Sequence, residues 1–164
     1  MKLRKILVPL DGSALAEMAI PTAVQLAKEQ GATVTLVRAA AESWIHGEEL
    51  VHAQIKVVHE AEGYLADVAG RLRAAGYDAV ETSVYYGTPA TSIIDAAKWR
   101  HADLIVMTSH GRSGLGRLML GSVAESVLRG TTTPILLLRA AGAAVLPPEG
   151  KAERMEVGNL AITG

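Results

Sequence analysis

Short apolar runs alternate along this chain with longer segments whose apolar positions recur every three or four residues. The first run, Lys5 to Leu10 (KILVPL), is apolar on both faces and is cut off by Asp11-Gly12-Ser13, as suits a central strand of a parallel sheet. From Ala14 to Gln30, Leu15, Met18, Ala19, Thr22, Ala23 and Leu26 fall at helical spacing, with Ser13 as the N-cap and Gly31 as the stop. Pro21 lies inside that stretch, where its missing backbone donor predicts a kink or a later start. Thr33 to Arg38 (TVTLVR) is short and β-branched, a second strand. From Glu49 to Ala75, Val51, Ile55, Val58, Leu65, Val68 and Leu72 describe one long amphipathic helix ended by Gly76.

Asp78 to Tyr86 alternates Val80, Thr82 and Val84 with polar neighbours, a strand with one more exposed side. Gly87-Thr88-Pro89 opens a helix running to about Arg100, and Asp103 to Thr108 (DLIVMT) is a fourth strand. A Gly-rich stretch, Ser109 to Leu120, leads into a helix from about Gly121 to Arg129, and Pro134 to Arg139 (PILLLR) is the fifth strand. This alternation predicts an α/β fold, an open, mostly parallel five-stranded sheet with helices on both faces. Ligands in that class bind beyond the carboxyl ends of the strands at the switch point, which directs attention to the loops after strands one and four. Residues 1–140 are expected to form one domain. Residues 141–164, with Gly142, Pro147-Pro148 and Gly150 and no sustained period, read as a flexible tail.

Composition narrows the function classes. With 164 residues, 49% hydrophobic and 20% charged, the chain has enough apolar side chains for a core of its own, and disorder is excluded for the bulk. A net charge of -1 gives no cationic field for nucleic acid or anionic lipid. The absence of cysteine removes disulfides, thiolate nucleophiles and Cys-based metal sites. No apolar run reaches the roughly 18 residues of a membrane span and no signal segment is visible, so the expectation is a cytoplasmic protein without a membrane partner. With 2 Trp, 4 Tyr and no Phe, the core must be aliphatic, and a base-stacking platform is not expected.

The chemistry concentrates between Met107 and Glu125. A strand ending at Thr108 and a helix starting near Gly121 would aim the N–H groups of Gly121, Ser122 and Val123 out of a positive helix end, an anion site. Gly111 would let the backbone approach a phosphate, and Arg112 and Arg117 would add charge-assisted contacts. The glycine spacing alone fits equally a plain connector before an ordinary capped helix.

The stretch TSHGRSGLGRLMLGSV, with KILVPLDGS at the start, GTPATSIIDAA before the fourth strand and TPILLLR at the end, resembles the universal stress protein family, over residues 2–139 and in the same order. The nucleotide-binding branch carries Gly-x-x-Gly, nine residues, then Gly-Ser or Gly-Thr. Here Gly111, the nine-residue spacing, Gly121 and Ser122 match, and Thr108 stands in place of the first glycine. The resemblance implies sheet order 3-2-1-4-5, a homodimer through Pro134 to Arg139, and ATP, with Mg2+, between the first and fourth strand ends. By position, Asp11 would lie by the nucleoside and the backbone near Ala39 by the adenine. Gly111, Gly121, Ser122 and Val123 would hold the phosphates, and Pro9, Met107 and Arg112 complete the implied site.

Three function classes follow. One is an ATP-binding dimeric stress or regulatory protein with at most slow hydrolysis, and another is a dimerising module that takes no nucleotide. The third is an adenylate-forming or nucleotide-transferring enzyme, but Asp11-Gly12-Ser13 carries neither the Ser-Gly-Gly nor the His motif of such enzymes, and ordinary turn chemistry accounts for it. No Walker phosphate loop exists. His110 is a pocket-wall residue without a partner acid in sequence. His52 and His59 lie two helical turns apart, about 10 Å, too far to share a metal, and read as surface residues. No catalytic or metal-ligating residue is assigned.

Overall fold

The apolar runs become five parallel strands, and the periodic stretches become the helices that cover them. The structure, a computed structural model, describes residues 2–40, 48–109 and 121–139. In chain order its elements are β1 (Lys5–Pro9), α1 (Ala14–Glu17), α2 (Ala19–Gln30), β2 (Thr33–Ala40), α3 (Glu48–Ala74), β3 (Val80–Tyr86), α4 (Pro89–Trp99), β4 (Leu104–Thr108), α5 (Ser122–Gly130) and β5 (Ile135–Leu138). The strands form one sheet in the order β3-β2-β1-β4-β5, all neighbours parallel. The tail expected over 141–164, and His110 to Leu120 of the Gly-rich loop, lie outside the described residues.

Alternation along the strands divides the core into two layers. Ile6, Val8, Leu36 and Val106 meet Ala23 and Ala27 of α2 and Leu65 and Val68 of α3 on one face. Leu7, Val37, Ile105 and Met107 meet Ile93 and Ala97 of α4 and Ala124 and Val127 of α5 on the other. Both layers are mainly aliphatic and rich in alanine, as suits a chain without Phe, with Tyr77 as the aromatic residue among the described buried hydrophobics. Among the described residues no helix is long and apolar enough to cross a membrane.

The stretch read as one helix from Ala14 to Gln30 is two, parted at Met18. Pro21 supplies the reason: its ring would collide with the carbonyl of Glu17, four residues back, and it has no N–H to donate there. The chain tightens instead, the Met18 N–H bonding the Leu15 carbonyl at 3.2 Å, and α2 restarts at Ala19. Pro21 thereby falls in a first helical turn, where a missing donor costs nothing. Gly31 (φ 66°) and Gly76 (φ 80°) end α2 and α3 in the left-handed region that glycine adopts without strain. β2 runs to Ala40, two residues past Arg38, because its ladder to β3 continues to Ala40 opposite Tyr86.

At the amino ends of the central strands, one Asp103 carboxylate oxygen accepts the backbone N–H groups of Arg4 and Lys5 at 2.7 and 2.9 Å, clipping β1 to β4. These two hydrogen bonds hold its pKa below the ordinary 3.8. A carboxylate depressed in the folded state stabilises above its unfolded pKa, and that contribution is lost as pH falls through the folded value. Asp103→Ala is expected to cost about 1 kcal/mol at pH 7, discounted for exposure. Urea titrations from pH 7 to pH 2 should show wild type and variant converging below pH 3.8; a constant difference would mean that the clip does not depend on charge.

Candidate functional site

The carboxyl ends of the strands are brought level by register. Pro9 pairs with Val37, and Leu7 pairs with Ile105, two residues before Pro9 and Met107 respectively. The Leu10 N–H donates to the Val37 carbonyl at 2.7 Å, extending that alignment to the residue before Asp11. Beyond these ends lies a cavity of about 510 Å³, within the range of small-molecule sites. Pro9, Asp11 and Ala39 line it from β1 and β2, and Met107, Gly121, Ser122 and Val123 from β4 and the start of α5. Seven residues singled out from sequence therefore share one cavity, while Gly111 and Arg112 lie outside the described residues.

Asp11 is positioned by a local turn. Its Oδ1 accepts the Ser13 N–H at 2.9 Å and the Ser13 hydroxyl at 2.6 Å, and Ser13 Oγ in turn accepts the Ala16 N–H at 3.1 Å as the N-cap of α1. Turn and cap chemistry thus fixes the carboxyl group in the cavity wall.

At α5 the structure corrects one detail. The Gly121 N–H is not free, because it donates to the Ser109 carbonyl at 2.8 Å. Gly121 is the N-cap, with φ −60° and ψ 144°, and supplies no side chain to the first turn, so Ser122 and Val123 form the helix end at the cavity. Thr108, in place of the family's first glycine, is buried in the cavity wall. Alternation turns it with Val106 toward the α2 side, away from Met107 and the α5 layer.

Several wall residues were not anticipated. Val57, Glu60 and Ala61 come from α3, Pro89 and Ile93 from α4, and Arg38 from β2. The guanidinium carbon of Arg38 lies 4.9 Å from the centre of the Tyr64 ring. Tyr64 donates its hydroxyl to Glu17 Oε1 at 2.8 Å, and Arg71 reaches Glu17 Oε2 at 2.9 Å. Burial, then the hydrogen bond to the Glu17 carboxylate, push the Tyr64 phenol above its ordinary value, so it stays a donor. A signal existed for Arg38, the single charged residue in β2; for the helix residues none did, since the crossovers that deliver them are long-range. His52 and His59 are exposed on α3, with His59 Nδ1 3.4 Å from Glu62. Among the described residues, no group of three or more His, Asp or Glu is arranged to hold a metal ion.

The sequence model of the Universal stress protein family matches residues 2–139. Universal stress protein YxiE of Bacillus subtilis is 31% identical over 149 residues, covering 82% of this chain and 98% of its own length. The solved structure of a universal stress protein from Lactobacillus plantarum superimposes with a TM-score of 0.70 at 29% identity, over 85% of this chain and 99% of that one. A universal stress protein solved in complex with cAMP shares the fold, with a TM-score of 0.65 at 24% identity over 84% of this chain and 98% of that one. Sheet order, matched span and relatives agree, and the chain belongs to the universal stress protein family.

Proposed function

We propose that this protein binds ATP in the cavity at the strand ends and acts as a dimeric stress-response or regulatory protein. The observation that carries the reading is the α5 N-terminus, whose N-cap Gly121 offers no side chain to the first turn and which opens on a cavity of about 510 Å³ beside Asp11 and Ala39. The N–H groups of Ser122 and Val123 and the positive end of the helix favour phosphate oxygens. Asp11, immobilised by Ser13, accepts from ribose hydroxyls, and the β2 end near Ala39 receives the base. Gly121 contributes space rather than a donor, its N–H being engaged by Ser109. Mg2+ would enter bound to the phosphates. The family relative that holds cAMP supports a nucleotide as the ligand class.

Calorimetric titration with ATP and Mg2+ tests the reading. Saturable binding of one ATP per chain supports it, and no heat of binding at millimolar ATP favours the dimerising module that takes no nucleotide.

Dimerisation is proposed through β5. This strand pairs with β4 alone in the sheet, and its Leu137 side chain is 37% exposed. An open apolar edge is an aggregation hazard that pairing with a second copy about a two-fold axis covers. Light scattering at micromolar concentration is expected to give twice the chain mass for wild type and one chain mass for Leu137→Arg. A wild-type monomer would refute this interface.

A further inference from the structure

We propose that Arg38 and Glu60 read the base of the bound nucleotide, selecting a 6-aminopurine over a 6-oxopurine. This rests on the ATP reading above and assigns the residues that set its base specificity. Arg38 and Glu60 line the same cavity, from β2 and α3. Glu60 precedes Tyr64 by one helical turn, and Arg38 stacks on Tyr64. Both residues thus neighbour Tyr64 at the edge of one cavity, yet among the described residues neither forms an ion pair. The neighbouring carboxylate of Glu17 is already committed to the Tyr64 hydroxyl and to Arg71. Arg38 is thus held on one face by an aromatic ring while its donors stay available to the cavity, and Glu60 is exposed at the rim as an acceptor. Between them the wall is apolar and small, with Ala16 of α1 and Val57 and Ala61 of α3, as suits a flat ring.

Position supports the base as the group read there. β2 is two strands from β4, about 10 Å at the usual spacing, so a ligand with its phosphates at the start of α5 arrives at Arg38 with its base. A guanidinium only donates and a carboxylate only accepts. Adenine offers one of each on a single edge: the 6-amino group donates to Glu60, and a ring nitrogen accepts from Arg38. Inosine places an oxygen where Glu60 needs a donor and leaves that carboxylate facing an acceptor.

The test is calorimetric titration of the full chain with ATP and with ITP, which differ at the 6-position. Wild type is expected to bind ATP at least about tenfold more tightly than ITP. In Glu60→Gln, whose amide accepts from the amino group or turns to donate to the oxygen, the ratio should fall to within about threefold. Arg38→Met keeps the stem against Tyr64 and should weaken ATP and ITP alike by roughly tenfold. Unliganded melting temperatures of the variants, taken alongside, confirm that they fold. A wild-type ratio near one, tighter ITP, or a ratio unchanged in Glu60→Gln overturns the proposal while leaving ATP binding standing. If neither nucleotide binds wild type, the ATP reading itself has failed, and this proposal with it.

Discussion

At 100 times its dissociation constant, ATP is expected to raise the melting temperature of the wild-type protein by roughly 5 to 10 °C, because a ligand at that excess adds about 2.7 kcal/mol to the folded state. Gly121→Val should reduce the rise to below about 2 °C. At φ −60° and ψ 144° the backbone accepts any residue, so the substitution introduces no backbone strain, and the Gly121 N–H that bonds Ser109 is retained. What changes is that a branched side chain fills the space in front of the Ser122 and Val123 N–H groups. Ser126→Ala, an exposed position one turn further along α5, is the control and should keep the full rise. Differential scanning calorimetry with and without ATP and Mg2+ reads all three proteins. Equal rises in wild type and Gly121→Val would remove the phosphates from this helix end.

The largest loss of stability is expected at the centre of the sheet. Ile105 is 0% exposed on β4, between Leu7 of β1 and Ile135 of β5 in the ladder, in the layer covered by α4 and α5. Ile105→Ala removes three carbons from a site that surrounding strands cannot collapse to fill. A cost of about 3 to 4 kcal/mol follows, seen as a fall in melting temperature of roughly 10 °C. The increment from ATP should persist in this variant, since Ile105 lies below the cavity and is absent from its wall. Urea denaturation gives the first quantity and calorimetry the second; a loss under 1 kcal/mol would mean that the layer repacks.

The strands were legible because each is buried on both faces and so reads as a continuous apolar run; Lys5–Pro9 and Leu104–Thr108 differ from expectation by a single residue at one end. The parting at Met18 was only half legible. Pro21 announced a disturbance, but the apolar spacing runs unbroken from Leu15 to Leu26, and spacing carries no record of the tightened turn at Leu15. In the site, residues on loops directly after strands were accessible to local reasoning, since the topology fixes where such loops gather. Glu60 and Ile93 were not, because on their own helices they look like one more surface charge and one more core residue. The occupied Gly121 N–H was equally invisible, since its acceptor lies twelve positions away at Ser109.

That last bond has an evolutionary consequence. Ser109 and Gly121 are fastened at 2.8 Å, and the Ser109 N–H is itself fastened to the Leu138 carbonyl at 2.8 Å, so the two anchor points for the segment between them belong to the framework and not to the segment. Both fastenings run from backbone to backbone, so no substitution at Ser109 or Gly121 other than proline removes a donor. The junction of β4, β5 and α5 is therefore carried by the path of the main chain, and side chains at these two positions can drift over generations while the junction stays closed.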